Sequence, residues 1–213
     1  MELKERTAII IQKGYVIDTK MILMMGEYDS YGKLCARVMK GETSFLIDRS
    51  PLHLLNDALM YIGFDLRGAM AGAKRILDKR SMCPIMVNPY QGICLFPSHS
   101  PFNADCIWFN PEHIVTTKAV GRKTKVELSN GHSILIDQRL YAFNDKLQTA
   151  IQLKRISRTR GNHPSLMTYF VVPKKGLQLS KEETGKYNFG ILDENNDTSG
   201  QKENGIIEVY KEN

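Results

Sequence analysis

The run from Ser50 to Gly63, "SPLHLLNDALMYIG", leaves the chain little choice of local structure. Ser50 is a capping residue, and Pro51 stands at the first helical position, where its missing N–H is no loss. Leu52, Leu55, Leu59 and Ile62 recur at spacings of three and four, as one side of a helix requires. Gly63 follows the last apolar residue, where a C-terminal cap belongs. A helix apolar on one side needs a second layer to cover it. The preceding segments supply one, because "TKMILMM", "LCARVM" and "TSFLID" read as short strands joined by the turn-rich "GEYDSYGK" and "KGE".

A second helix opens at Asp65 and runs to about Lys79. "CPIMVNPYQGICLFP" reads as two short strands around a turn, and "SHSPFNADC" as an irregular loop. Residues 113–136 have the pattern of an antiparallel meander, with turns at Gly121-Arg122 and Asn130-Gly131. Asn-Gly between alternating runs is a strong hairpin signal. A third helix covers about Ala142 to Ile156, with Phe143, Leu147, Ala150 and Ile151 on one side. The expected class is α+β: antiparallel strands and a meander with about three packed helices. The body spans 1–160, extending to about 172 if "GNHPSLMTYFVVPKK" packs on it. Residues 173–213 are polar, and disorder is expected there because little apolar surface offsets the ordering entropy.

Charge divides the chain at the same place. Residues 173–213 carry six Lys and eight Asp/Glu, which leaves 23 basic and 15 acidic residues before them, a net of +8. A basic body with an acidic tail favours a polyanionic partner. No run approaches 18 apolar residues, and "AIII" is too short for a signal core, so a cytoplasmic address is expected. Cys35, Cys83, Cys94 and Cys106 form no close pair, so buried, reduced thiols are expected rather than a metal site. No cofactor is expected. Asp48, Asp65, Asp78 and Asp105 form no nuclease motif, and His53 and His113 suggest no triad, so no catalytic residue is assigned.

The stretch "GFDLRGAMAGAKR", Gly63 to Arg75, has three glycines and a basic end. It is not a P-loop: Gly68 and Gly72 are too close, Lys74 is one place late, and Arg75 replaces the hydroxyl. As a helix it gathers Leu66, Met70, Ala73 and Leu77 on one side, and Gly68, Ala71, Gly72, Arg75 and Lys79 on the other. Two interior glycines invite close approach by another helix or by a nucleic-acid backbone. Three clusters of positive charge supply the candidate contacts: Arg67, Lys74, Arg75, Lys79 and Arg80; Lys118, Arg122, Lys123 and Lys125, with no acid within the cluster; and Lys146, Lys154, Arg155, Arg158 and Arg160, also unopposed. Converging on one side they make a nucleic-acid footprint, and pointing apart they are solvated faces.

"FLIDRSPLHLLNDALMYIGFDLRGAMAGA", "PIMVNPYQGICLFPSHSP", "CIWFNPEHI" and "LSNGHSILI" resemble, in order and spacing, the competence transcription factor family, ComK. The residues that carry the resemblance include Asp48, Arg49, Ser50, Gly63, Gly68, Pro84, Phe96, Pro97, Cys106, Trp108 and His113. The family's usual Gly-Ser-Ser-Tyr-x-Gly-Arg run reads Gly63-Phe64-Asp65-Leu66-Arg67-Gly68-Ala69 here. The glycines stay, the hydroxyls are lost, and the arginine precedes Gly68. The resemblance implies a nucleoid-associated activator of DNA-uptake genes that binds paired A/T-rich boxes through the minor groove as a homo-oligomer. Arg67 and Arg122 are the side chains expected in the groove. RNA polymerase and a Clp-type protease adaptor are further expected partners, the adaptor acting through Leu166–Lys175 or the tail. A diverged paralogue that titrates proteins without binding DNA is the alternative.

Overall fold

The computed structural model describes residues 11–78, 81–162, 177–181 and 187–191. The chain divides into two units, Met1–Pro164 and Ser165–Asn213. In the first, β1 (Ile11–Gln12), β2 (Met21–Tyr28), β3 (Leu34–Lys40), β4 (Thr43–Ile47), β5 (Ile85–Asn88), β6 (Ile93–Pro97) and β7 (Ile107–Phe109) form one sheet. Its order is β1-β4-β3-β2-β7-β6-β5, antiparallel except where β1 joins β4. A second sheet, β10-β9-β8, is built from β8 (Ile114–Val120), β9 (Lys123–Leu128) and β10 (Ser133–Ile136). The helices are α1 (Pro51–Tyr61), α2 (Leu66–Leu77) and α3 (Leu140–Asn162). This is the expected α+β architecture. In the second unit, Leu177–Lys181 and Tyr187–Ile191 pair as antiparallel strands β11 and β12. The rest of the tail, including Leu166–Lys175, lies outside the described residues.

The large sheet is covered on both faces, so its strands alternate between two cores rather than between core and water. α1 lays Leu54, Leu55, Ala58 and Leu59 against Met24, Val38, Ile47, Leu95 and Trp108 on one face. On the other, Phe96, Phe109 and Phe143 meet with ring centroids 5.3–5.6 Å apart, joined by Val126, Leu128, Ala150 and Leu153 from the second sheet and α3. Met21 to Met24 are all buried, and a bulge between Met21 and Leu23 lets Ile22 and Leu23 face the same core. α2 crosses the edge of the sheet beside β5. Leu66, Ala69 and Met70 pack on the first core, and Ala73, Ile76 and Leu77 on the second.

One strand was not foreseen, and two expectations for the third helix need correction. β7 lies inside the large sheet, between β2 and β6, although its three residues are too few to show a period. α3 is longer than expected at both ends. Its buried side is set by Phe143, Ala150 and Leu153, while Ile151 is 44% exposed. All four cysteines are buried and outside any disulfide, as expected.

Candidate nucleic-acid interface

Asp65 caps α2, and its carboxylate accepts from the Gly68 N–H at 2.7 Å. A Cβ on Gly68 would lie 3.1 Å from Asp65 Oδ2, a tight contact with its own helix cap. A Cβ on Gly72 would meet nothing within 4 Å. Among the described residues, no other helix comes nearer than 3.6 Å to a Cβ at either glycine. They line instead an open apolar groove of about 210 Å³, with Phe64 and Ile76 on the α2 side and Leu153 and Ser157 of α3 across it. Arg75 follows Gly68 and Gly72 at helical spacing and shares their side of α2. Arg160 likewise follows Leu153 and Ser157 on α3. Arg75 and Arg160, one from the first and one from the third cationic cluster, therefore stand on the sides of α2 and α3 that carry groove-lining residues.

The hairpin cluster lies elsewhere along α3. The Thr117 hydroxyl donates to Asn144 Oδ1 at 2.9 Å, which ties β8 to the first turns of that helix. From Asn144 to Arg158 the helix advances about 21 Å at ~1.5 Å per residue. Gly121 and Arg122 form the turn between β8 and β9, with Gly121 at φ +59° and Val120 opposite Lys123.

Two expectations of unopposed charge fail. Lys118 and Lys125 lie directly opposite each other in the β8–β9 ladder, and Glu127 serves both, 3.3 Å from Lys118 and 3.8 Å from Lys125. The Thr116 hydroxyl and these lysines hold the Glu127 carboxyl below its ordinary pKa. Lys154 reaches Glu112 at 2.8 Å. Lys146 turns inward and donates to Ser98 O, and burial lowers its pKa. Glu127 was legible in the sequence: in a strand it shares a face with Lys125, two residues earlier.

What remains is consistent. Arg67, Lys74, Arg75, Arg122, Lys123, Arg155, Arg158 and Arg160 are exposed and make no ion pair among the described residues. Four other cations of the body are matched, Lys33 with Asp48, Arg37 with Glu27, Lys40 with Asp18, and Arg49 with Asp57 at 3.5 Å, whereas Lys13, Lys20 and Arg139 make no ion pair among the described residues. Lys79 and Arg80 lie outside the described residues.

The motif residues serve the fold. Ser50 caps α1 and accepts from the His53 N–H. Gly63, at φ +84°, turns the chain out of α1 through the left-handed region. Pro84, Phe96, Pro97, Cys106 and Trp108 are buried. His113 bridges Ser129 Oγ and Thr19 O, at 2.7 Å each, and so ties the meander to the start of β2.

Together these features define an α+β protein with eight exposed, unpaired cations along α2, α3 and the β8–β9 turn, with no cluster of metal-ligating side chains and no helix long and apolar enough to cross a membrane among the described residues. The chain belongs to the ComK family: the family described as "ComK protein" matches residues 12–162, a span that closes at the last residue of α3. It is similar to the "Competence transcription factor" of Bacillus subtilis (strain 168), 25% identical over 166 residues, which cover 76% of this chain and 86% of that protein. No solved structure matches it.

Proposed function

We propose that this chain is a transcription factor of the competence class that binds duplex DNA along the side where α2 and α3 present their arginines. One observation carries the reading: among the described residues eight of the predicted contact residues make no ion pair, whereas Lys33, Arg37, Lys40 and Arg49 elsewhere in the body do. Free, exposed arginines and lysines are available to displace counterions from phosphates. The finer reading, A/T-rich boxes read through the minor groove, rests on the affinity of narrow, strongly negative A-tract grooves for inserted arginine. Arg67 and Arg122 are exposed and suited to that role. An oligomer acting in the cytoplasm on DNA-uptake genes, with RNA polymerase among its partners and no catalytic step, completes the proposal.

Gel-shift titration tests it, with an A/T-boxed duplex against a G/C-rich duplex of equal length. Preference for the boxed duplex and steep loss with salt are expected, of the order of 10³–10⁵ between 50 and 200 mM for 6–10 phosphate contacts. Equal affinity rejects sequence preference, and no binding at low salt rejects the DNA reading. The Asp65 carboxylate favours a second reading. It occupies the positive end of α2, where a phosphate would otherwise be attracted. A chain that binds no duplex yet retains a protein partner would be the titrating paralogue.

A further inference from the structure

The three-stranded sheet ends on an open edge. β10 pairs with β9 on one side, and among the described residues no strand or helix is hydrogen-bonded along its other side. The bond from the Leu128 N–H to His132 O, 2.8 Å, sets the alternation of the ladder. Ile134 and Ile136 turn their backbone groups toward β9, so Ser133 and Leu135 turn theirs outward. The Leu135 side chain is 52% exposed.

Other edges are blunted in the ways that prevent pairing. β8 is bulged between Ile114 and Thr116 and carries Lys118. β5 is bulged between Met86 and Asn88 and lies against all three helices. β1 is two residues long. β10, Ser-Ile-Leu-Ile, has no charge, no proline and a regular register.

We propose that β10 pairs antiparallel with β10 of a second copy of this chain, about a two-fold axis at Leu135. The pattern is self-complementary, as a two-fold contact requires. Leu135 of the two copies would meet as an apolar pair, and Ser133 of one copy would face Asp137 of the other, a hydroxyl donor against a carboxylate. The cations nearest this edge do not oppose the contact. Lys125 sits opposite Leu135 on β9, so the Lys125 residues of the two copies are three strand spacings apart, about 14 Å. That exceeds the ~10 Å screening length at 0.1 M salt. The joined six-stranded sheet would carry the row Lys118, Lys125, Leu135 twice, mirrored about the axis.

This surface rests on the oligomer of the proposed function, is independent of its DNA reading and is tested without DNA. Because the four native thiols are buried, Leu135→Cys adds the one accessible thiol of the described body. Residues directly opposite in a hydrogen-bonded antiparallel pair have Cα atoms about 5.5 Å apart, within disulfide range. Mild oxidation should convert Leu135→Cys to a covalent dimer, while Val115→Cys, on the bulged β8 edge, should stay monomeric. Leu135→Lys places two ammonium groups face to face. It should halve the mass measured by sedimentation equilibrium and leave the far-ultraviolet circular dichroism spectrum of the folded protein unchanged. A monomeric wild type at all concentrations, a dimer undisturbed by Leu135→Lys, or crosslinking no better at 135 than at 115 would overturn the proposal. Wild-type assemblies larger than a dimer that Leu135→Lys leaves intact would also overturn it.

Discussion

The Asp65 carboxylate and the Gly68 backbone N–H meet at 2.7 Å, and a Cβ on Gly68 would stand 3.1 Å from the other carboxylate oxygen, a tight contact. The two glycines of α2 are therefore not equivalent. Gly72→Ala adds a methyl group into open space and should stabilise the protein by about 0.5–1 kcal/mol through helix propensity. Gly68→Ala should gain none of this, because the short, engaged Asp65 side chain must give way. Asp65→Ala should cost about 1 kcal/mol as a lost N-cap. Urea unfolding curves for the three variants check the order.

Affinity for duplex should divide the lysines from the arginines. Arg75→Ala and Arg158→Ala should each lower the slope of log K against log salt by about 0.9, one phosphate contact apiece. Lys118→Ala should do less, since Lys118 already shares Glu127 with Lys125. Glu127→Gln should tighten binding by releasing both lysines. Salt titrations that give one slope for all four variants would remove the hairpin's distinct role.

Gly26→Ala should destabilise the body. A Cβ there would stand 2.4 Å from Ala104 O, a backbone atom that yields only if the loop from Ser98 to Cys106 shifts. A cost of about 1–3 kcal/mol is expected, as for overpacking elsewhere. Thermal unfolding measures it, and an unchanged midpoint would mean the loop moves freely.

Acid should act through two ion pairs on the β2–β3 side of the sheet. The Arg37 guanidinium, bonded to Glu27, holds that carboxyl below its ordinary pKa. For Asp18, burial pushes the pKa up, but hydrogen bonds from Lys40 and the Lys20 N–H outweigh it and the net shift is downward. A carboxyl depressed in the folded state stabilises the fold above its unfolded pKa, and that stability is lost as pH falls through the folded value. Unfolding free energy should therefore decline below about pH 4–4.5, the unfolded range of Asp and Glu. Arg37→Met should flatten that decline, which chemical unfolding at a series of pH values would reveal.

The helices were legible because their signals are local. Ser50, Pro51 and Gly63 mark α1 without reference to anything distant, and Asp65 marks the start of α2. Asn130-Gly131 places the β9–β10 turn. β7 was not legible, since three residues carry no period and its strand character comes from β2 and β6 on either side. The exposure of Ile151 was hidden for a similar reason: which side of α3 is buried depends on the sheet it meets.

By itself the sequence determined the class of fold, the start of each helix in the first half, the buried thiols and which residues bear the positive charge. Those follow from chemistry within a few residues of each site. Only the tertiary structure decided which cations stay free. Pairing depends on where carboxylates arrive in space, as Glu127 does beside Lys118 and Glu112 beside Lys154, 42 residues on in the chain. It also decided that the glycines of α2 border an open groove, because that depends on how far α3 stands from them after both helices have packed on the sheet.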